Sequence, residues 1–147
     1  MSLKLSDISS YLSFAKKLSN TSEEILKKTP SNRIKINFKS DKSPVTKIDM
    51  AIERKLRSMI NKRFPNHGIF GEEYKNKTNN SPFLWVIDPI DGTKNFINGN
   101  SNFGTLISLC IDYTPVIGII NCPDCLLYTS DAADDSLRVD LGGRRII

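Results

Sequence analysis

The chain has 147 residues, of which 39% are hydrophobic and 25% charged, so its length and composition are those of one globular domain. No apolar run approaches the roughly 20 residues of a membrane span, and the segment MSLKLSDISS lacks the apolar core of a signal peptide, so we expect a cytoplasmic protein with no membrane partner. The net charge of +5 is spread along the chain without a basic, aromatic-interleaved motif, which disfavours a nucleic-acid partner and fits a small anionic substrate.

The first half of the chain predicts two helices with a strand between them. Apolar residues recur at near-helical intervals over residues 5–28, which predicts a helix or a helix pair. RIKINF (33–38) alternates polar and apolar residues and predicts a half-buried strand. Residues 45–64 carry one apolar stripe at steps of three and four, and Thr46 with Asp49 near its start has the spacing of a capping box.

The second half predicts short strands joined by turns. The strand candidates are IFGEEY (69–74), FLWVI (83–87), FGTLISLCI (103–111) and PVIGIIN (115–121). An acidic turn and a brief helical segment, TKNFI, follow the second of them. Alternating helices and strands of this kind predict a layered α/β fold.

Beyond residue 125 the sequence changes character. DAADDSLRVDLGGRRII has weak periodicity and clustered acids, and it does not continue the alternation of helices and strands. We therefore expect a domain over residues 1–125 and treat residues 126–147 as a tail that resembles translated vector or adapter sequence.

Five acidic residues fall where predicted elements begin or end. Asp49 lies in the first turn of the second helix. Glu72 and Glu73 follow one short strand, whereas Asp88 and Asp91 follow another. Carboxylate oxygens from several elements are the ligands that Mg²⁺ prefers, and the ion usually keeps waters that a phosphate can displace. Two such ions about 4 Å apart would bind both the attacking and the leaving oxygen of a phosphoryl transfer.

Gly92 and Thr93 come directly after these acids. A glycine lets the backbone approach a ligand closely, and the N–H groups at the start of TKNFI could bind phosphate oxygens. The hydroxyl of Thr93 could orient a metal-bound water or accept its proton, with Asp49 as hydrogen-bond partner. This pattern predicts a phosphate site beside a water-activating pair.

The acids of the second helix and of DPID also have structural interpretations. Asp49 could serve only as a helix cap, and Asp88 with Asp91 could form only an Asx turn around Pro89. A haloacid-dehalogenase-type aspartate nucleophile is disfavoured, because its D-x-D-G-T pattern is one residue shorter than DPIDGT and the acids would not superpose.

Three further expectations concern residues near these acids. Glu53 is explained by an ion pair with Arg57 one helical turn later. Strand alternation predicts that Glu72 points inward and Glu73 faces solvent. His67, between Asn and Gly, is expected to be an exposed turn residue.

The runs SPVTKID, GEE and WVIDPIDGTKNF, in this order and spacing, resemble the inositol monophosphatase superfamily of metal-dependent, lithium-sensitive sugar phosphatases. The resemblance covers residues 8–123 and implies an α+β layered sandwich, αβαβα, of which this chain holds the N-terminal half only. It implies that Mg²⁺ is bound by the side chains of Glu72, Asp88 and Asp91 and by the backbone carbonyl of Ile90.

The resemblance also implies the residues that act on the substrate, a small phosphate ester. Asp49 and Thr93 would activate the attacking water, and the backbone of Gly92 and Thr93 would bind the phosphate. A basic residue near the phosphate would correspond to Lys39 or Lys42.

Two segments, HGIFGEE and GNSNFGTLISL, are most similar to the histidinol-phosphatase branch. The second segment typically reads F-x-x-G-x-P-x-W-G-T-L-I there, and here Ser101 replaces the proline and Phe103 the tryptophan. Histidinol phosphate is therefore the favoured substrate, and inositol-1-phosphate or a related sugar phosphate is the alternative.

The family's second half, with a W-D-x-A-A motif whose aspartate binds the second metal, has no counterpart in the sequence. SDAAD at residues 130–134 lacks the tryptophan and comes too early, so Asp131 is not assigned as a ligand. We expect an N-terminal fragment with little or no activity by itself. A non-catalytic module that binds metal or phosphate is the alternative from another class, and a homodimer is an open option because the family commonly dimerises.

Overall fold

The computed structural model describes residues 5–29, 35–40, 44–123 and 128–132, and it shows helices packed on a mixed sheet. The helices are α1 (Leu5–Lys27), α2 (Lys47–Arg63) and α3 (Thr93–Ile97). The strands are β1 (Ile36–Phe38), β2 (Pro44–Thr46), β3 (Gly68–Gly71), β4 (Phe83–Asp91), β5 (Gly104–Ile111), β6 (Thr114–Asn121) and β7 (Tyr128–Ala132). The predicted layered α/β fold is confirmed.

The main sheet of the described residues has the strand order β3-β4-β5-β6-β7. β3 runs parallel to β4, and the other neighbours are antiparallel. Alternation along β4 buries Phe83, Trp85 and Ile87 in the core that the sheet shares with α1 and α2. Asp88 lies with Val86 on the other, half-buried face. A slip of one residue would exchange the two faces, so the core fixes where the acids of β4 lie.

α1 is a single continuous helix, one of the two forms that the periodicity allowed. Its Ala15 and Leu18 are fully buried in the core. Its polar positions also contact the sheet, where the hydroxyls of Ser22 and Thr105 share a buried hydrogen bond. Thr105 donates to the backbone carbonyl of Pro89 at 2.9 Å, so α1 is connected through it to the end of β4.

α2 confirms both the apolar stripe and the predicted cap. Ile52, Leu56 and Ile60 are fully buried. The hydroxyl of Thr46 accepts from the backbone N–H of Asp49, and a carboxylate oxygen of Asp49 accepts from the backbone N–H of Thr46 at 2.8 Å. Such a reciprocal cap stabilises a helix by about 1 kcal/mol.

The strand predicted at residues 33–38 is correct in type but wrong in burial. Residues 33 and 34 lie outside the described residues, and in β1 Ile36 is 41% and Phe38 70% exposed. β1 pairs with β2, and the sequence pattern had assigned two residues of β2, Val45 and Thr46, to the second helix. A two-stranded ribbon has no buried face of its own, so alternation alone did not decide burial here.

β4 is longer than predicted. The apolar run ends at residue 87, but the strand continues to Asp91 because β5 remains its antiparallel partner to that point. The register shifts between Asp88 and Asp91, as in a β-bulge, where a proline such as Pro89 is tolerated. Asp88 and Asp91 are therefore part of the sheet, and the backbone of Ile90, two residues on, also bonds to the Asp88 carboxyl as in the Asx-turn interpretation.

Part of the predicted tail forms a strand. Residues 128–132 make up β7, which pairs with β6, although the sequence there did not suggest continuation of the fold. Residues 124–127 and 133–147 lie outside the described residues, so the boundary at residue 125 and the origin of the tail stay predictions. Within the described ranges, no helix combines the length and the apolar character that a membrane crossing requires.

His67 is buried, so its expected position in an exposed turn is wrong. Its ring is stacked between those of Phe64 and Phe83, with centroids 4.6 Å away on each side. Its Nδ1 accepts a hydrogen bond from Nε1 of Trp85 at 3.1 Å. Burial, assisted by the charge of Lys77, lowers the pKa of His67 to about 4. The neutral ring supplies the hydrogen-bond acceptor that the buried indole of Trp85 needs. The residues next to His67 in the sequence do not indicate this distant partner.

We predict that His67 makes the fold sensitive to acid. The imidazole has an ordinary pKa of 6.5 and a folded-state pKa of about 4, so the unfolded chain takes up the proton first as the pH falls. The stability due to the neutral ring is therefore present above pH 6.5 and lost towards pH 4. His67→Gln keeps an acceptor for Trp85 but does not titrate. Urea unfolding should show a flatter pH dependence for this variant, and an unchanged dependence would contradict the assignment.

Candidate metal and phosphate site

The end of β4 leads directly into α3 through a backbone conformation that requires glycine. Gly92 is the N-cap of α3 and has φ +80° and ψ 38°, in the left-handed region. A Cβ at this position would also lie 2.8 Å from the backbone carbonyl oxygen of Asn102. A glycine is thus required at position 92 by the local geometry, and Thr93 follows directly after the acids of β4.

Thr93 lies between α2 and β4, with its hydroxyl near two acceptors. The hydroxyl is 2.9 Å from the backbone carbonyl oxygen of Ile90 and 3.2 Å from Oδ1 of Asp49. Oδ2 of the same carboxylate accepts from the backbone N–H of Thr46, and Asp49 is only 1% exposed. One buried carboxylate therefore caps α2 and contacts Thr93, so the capping interpretation of Asp49 does not exclude a second role.

The two glutamates after β3 are oriented opposite to the prediction. The side chain of Glu73 is 5% exposed and that of Glu72 is 46% exposed. Strand alternation predicted the reverse, but β3 ends at Gly71, so a period of two does not apply beyond it. Burial raises the pKa of Glu73, the hydrogen bond and charge of Lys39 lower it, and the charges of Glu72 and Asp49 raise it. Glu73 is thus part of the acidic surroundings of Asp49.

Glu53 has contacts that the sequence did not reveal. Its predicted ion pair is confirmed, since Nε of Arg57 donates to Oε1 at 2.7 Å. Its carboxylate also accepts from the backbone N–H groups of Glu73 at 2.6 Å and Tyr74 at 3.2 Å. Backbone donors leave no pattern of side-chain types, so only the nearby Gly71, where the two segments approach closely, could have suggested the contact.

Lys39 is paired with both glutamates of the G-E-E segment. Its Nζ lies 2.7 Å from Oε1 of Glu72 and 2.8 Å from Oε1 of Glu73. Burial by itself would lower the pKa of Lys39, but the hydrogen bonds and charges of the two carboxylates raise it above its usual value. Lys42, the other basic candidate, lies outside the described residues.

The surroundings of the Asp88 carboxyl oppose a negative charge on it. Burial raises the pKa of Asp88 to about 8, the hydrogen bond and charge of Glu72 and the charge of Asp91 raise it as well, and the backbone of Ile90 lowers it. Within the described part of the chain, the buried Oδ1 of Asp88 has no hydrogen-bond partner. We call Glu72, Asp88 and Asp91 the acidic cluster. A buried, unpartnered carboxylate oxygen beside two other acids fits a divalent cation, which would remove the repulsion.

The acidic cluster is not a closed cage. As the side chains stand, no group of three or more acidic, histidine or cysteine residues in the described ranges is placed to hold a metal ion. Glu72 is instead paired with Lys39. The donors nevertheless have the right chemistry for Mg²⁺, because carboxylate and carbonyl oxygens are hard ligands. The side chain of Asp131, in β7, is not described.

The chain as a whole was compared with known protein families and with known proteins. The model of the inositol monophosphatase family matches residues 7–136. The chloroplastic bifunctional phosphatase IMPL2 of Arabidopsis thaliana is 41% identical over 108 residues, which are 72% of this chain and 31% of that protein. The histidinol-phosphatase of Mycobacterium tuberculosis is 38% identical over 90 residues, 61% of this chain and 35% of that protein. The chain thus spans 31–35% of the length of these curated relatives.

The fold is also similar to that of solved structures. The IMPase of Thermotoga maritima is 28% identical and superposes with a TM-score of 0.76. The superposition covers 84% of this chain and 48% of the Thermotoga chain. The arrangement of helices and sheet is therefore the one found in about half of that larger structure.

We predict that Asp88→Asn stabilises the metal-free chain. The folded-state pKa of about 8 lies above the ordinary 3.8, so the contribution of this carboxyl to stability is present below pH 3.8 and lost as the pH rises through 8. Without that charge, the free energy of unfolding above pH 8 should rise by on the order of 1 kcal/mol, a value reduced for solvent screening.

Urea unfolding in the presence of a chelator measures this difference. Asp112→Asn is the matched control, because Asp112 is exposed in the turn between β5 and β6. A loss of stability in Asp88→Asn, or an equal change in both variants, would contradict the prediction.

Proposed function

Because the chain belongs to the inositol monophosphatase family, we propose that it contributes to Mg²⁺-dependent hydrolysis of a small phosphate monoester. The observation that carries the proposal is Asp88, whose buried Oδ1 has no hydrogen-bond partner among the described residues while its neighbours Glu72 and Asp91 raise its pKa. Such a group is costly to the fold unless a cation is bound there.

We assign Mg²⁺ to the side chains of Glu72, Asp88 and Asp91 together with the backbone carbonyl of Ile90. When bound, the metal would offset the negative charge of the phosphoryl oxygens and would lower the pKa of a bound water. Glu72 would have to leave Lys39 to become a ligand, because the two are paired at 2.7 Å. Lys39 would then be positioned to pair with a phosphate oxygen.

Thr93 and Asp49 are assigned to proton transfer from the attacking water. The Thr93 oxygen keeps lone pairs that can accept a hydrogen bond from water while its own hydrogen points to an acceptor. As Oγ1 takes a proton from the water, its hydrogen can pass to Oδ1 of Asp49, 3.2 Å away. Asp49 is buried and fixed by the cap of α2, so the receiving oxygen has a defined position.

The backbone at the start of α3 is assigned to the phosphate. The N–H groups of the first turn of a helix have no acceptor within the helix, and they favour an anion. The left-handed conformation of Gly92 turns the chain so that the N–H groups of Gly92 and Thr93 come directly after the acids of β4. Phosphate and metal would then share one site.

Histidinol phosphate is the substrate that we favour. The supporting observations are the 38% identity to a protein named histidinol-phosphatase and the segments HGIFGEE and FGTLISL. Inositol-1-phosphate or another sugar phosphate is the alternative, supported by the similarity to the IMPase of Thermotoga maritima. Phosphate release from the two esters, measured side by side with a chain extended to the relatives' length, distinguishes them, and equal rates or a preference for the inositol ester would overturn our choice.

We predict that Asp91→Asn weakens Mg²⁺ binding without unfolding the chain. Asp91 is exposed, so the change should cost little stability, but it removes one negative oxygen donor. By calorimetry the Kd for Mg²⁺ should rise by about 10- to 100-fold or more. The control Asp112→Asn should bind as the unchanged chain does.

Binding is the sharper measurement for this chain, because it spans only 31–35% of the length of these relatives and we expect little turnover from the 147 residues alone. Absence of Mg²⁺ binding by the unchanged chain would contradict the proposal. Mg²⁺ and phosphate binding without any phosphate release, in a chain extended to the relatives' length, would favour a non-catalytic binding module. Location in the cytoplasm and assembly as a homodimer stay predictions.

A further inference from the structure

We infer that Glu53 is a positioning residue, which sets the place of Glu72 and Glu73 by binding the backbone that carries them. The inference rests on the proposed function, since it concerns the metal site described above. Nothing in the metal or phosphate assignments uses Glu53, although it is a fully buried carboxylate near them. A buried charge of this kind must be matched by several donors, and the identity of those donors indicates what it holds in place.

The donors to Glu53 come mainly from the G-E-E segment. Oε2 accepts the backbone N–H of Glu73 at 2.6 Å, and Oε1 accepts that of Tyr74 at 3.2 Å. Nε of Arg57 donates to Oε1 at 2.7 Å, and Nη2 of Arg57 donates to the backbone carbonyl of Tyr74 at 3.1 Å. Two side chains of α2 thus bind three backbone groups of the segment that follows β3.

Gly71, just before the two glutamates, packs closely against Glu53 and Arg57, and this packing limits the positions that the segment can take. A Cβ at Gly71 would lie 2.0 Å from Oε1 of Glu53 and 2.7 Å from Nη2 of Arg57. The backbone therefore lies directly against the ion pair, and Glu72 follows immediately. The position at which Glu72 can meet Asp88 is set by this contact rather than by the strand, because β3 has already ended.

The same helix fixes the other half of the site. Asp49 lies four residues before Glu53, one helical turn away, and contacts Thr93 after β4. α2 therefore holds the segment after β3 through Glu53 and the segment after β4 through Asp49. Supporting residues of this kind usually affect metal affinity even though they do not touch the metal.

The test uses the full chain and compares Glu53→Gln with the control Lys55→Gln, an exposed position on the same helix. The amide of glutamine replaces one accepting oxygen with a donor, which would face a backbone N–H. Mg²⁺ binding is measured by calorimetry well below the unfolding temperature, and the backbone amide resonances of residues 72–74 and 84–87 are followed by NMR.

We expect Glu53→Gln to shift the resonances of residues 72–74, to leave those of 84–87 in place, and to raise the Kd for Mg²⁺ by about 10- to 100-fold. An unchanged Kd in the folded variant would overturn the inference. If Glu53→Gln does not fold, Arg57→Lys, which loses the contact to the Tyr74 carbonyl, should raise the Kd by a smaller factor, and no change would again overturn it. Failure of the unchanged chain to bind Mg²⁺ would instead refute the proposed function. In that case, rapid hydrogen exchange at the Glu73 and Tyr74 amides would refute the positioning contact separately.

Discussion

Two buried carboxylates on one face of α2, Asp49 and Glu53, hold the segments that leave β3 and β4. Each of them is nearly or completely excluded from solvent, and each accepts a hydrogen bond from a different segment as well as from α2 or its cap. Buried carboxylates are unfavourable unless such donors are present, so the helix cannot easily change its place without losing several hydrogen bonds together. The apolar stripe of α2, packed on the core face of β4, gives these contacts a rigid support.

The neighbouring carboxyl groups of Glu72, Asp88 and Asp91 disfavour negative charge on one another. Asp88 lies beside Glu72 and Asp91, which raises its pKa, and Lys39 pairs with Glu72 of this acidic cluster and with the neighbouring Glu73. A fold selected only for stability would replace at least one of these acids. The arrangement is understandable if a divalent cation is part of the working state, since the ion would convert mutual repulsion into shared attraction. Lys39 can be regarded as a partial substitute for that charge.

The sequence predicted those features that depend on neighbours along the chain. The apolar stripe of α2 and its cap follow from spacing within a few residues, and both were found where expected. The strands β5 and β6 follow from β-branched runs joined by a turn. The meeting of Asp49 with Thr93, 44 positions apart, was predicted from chemistry and family resemblance, and the two side chains do lie together.

Features that depend on distant partners were missed for the same reason. β4 continues past its apolar run because β5 still pairs with it, and His67 is buried because Phe64, Phe83 and Trp85 surround its ring. The buried glutamate of the G-E-E segment was predicted to be Glu72 but is Glu73. Backbone hydrogen bonds to Glu53, rather than strand alternation, orient this segment. The roles of the acids in catalysis stay predictions that the arrangement of the chain supports.

The most direct measurement is a crystal structure of the chain grown with Mn²⁺, which prefers oxygen ligands as Mg²⁺ does and gives an anomalous signal. We expect one anomalous peak bound by Glu72, Asp88 and Asp91 and by the carbonyl of Ile90, with the ion pair between Lys39 and Glu72 broken. An intact Lys39–Glu72 pair with no peak beside Asp88 would contradict the proposed metal site.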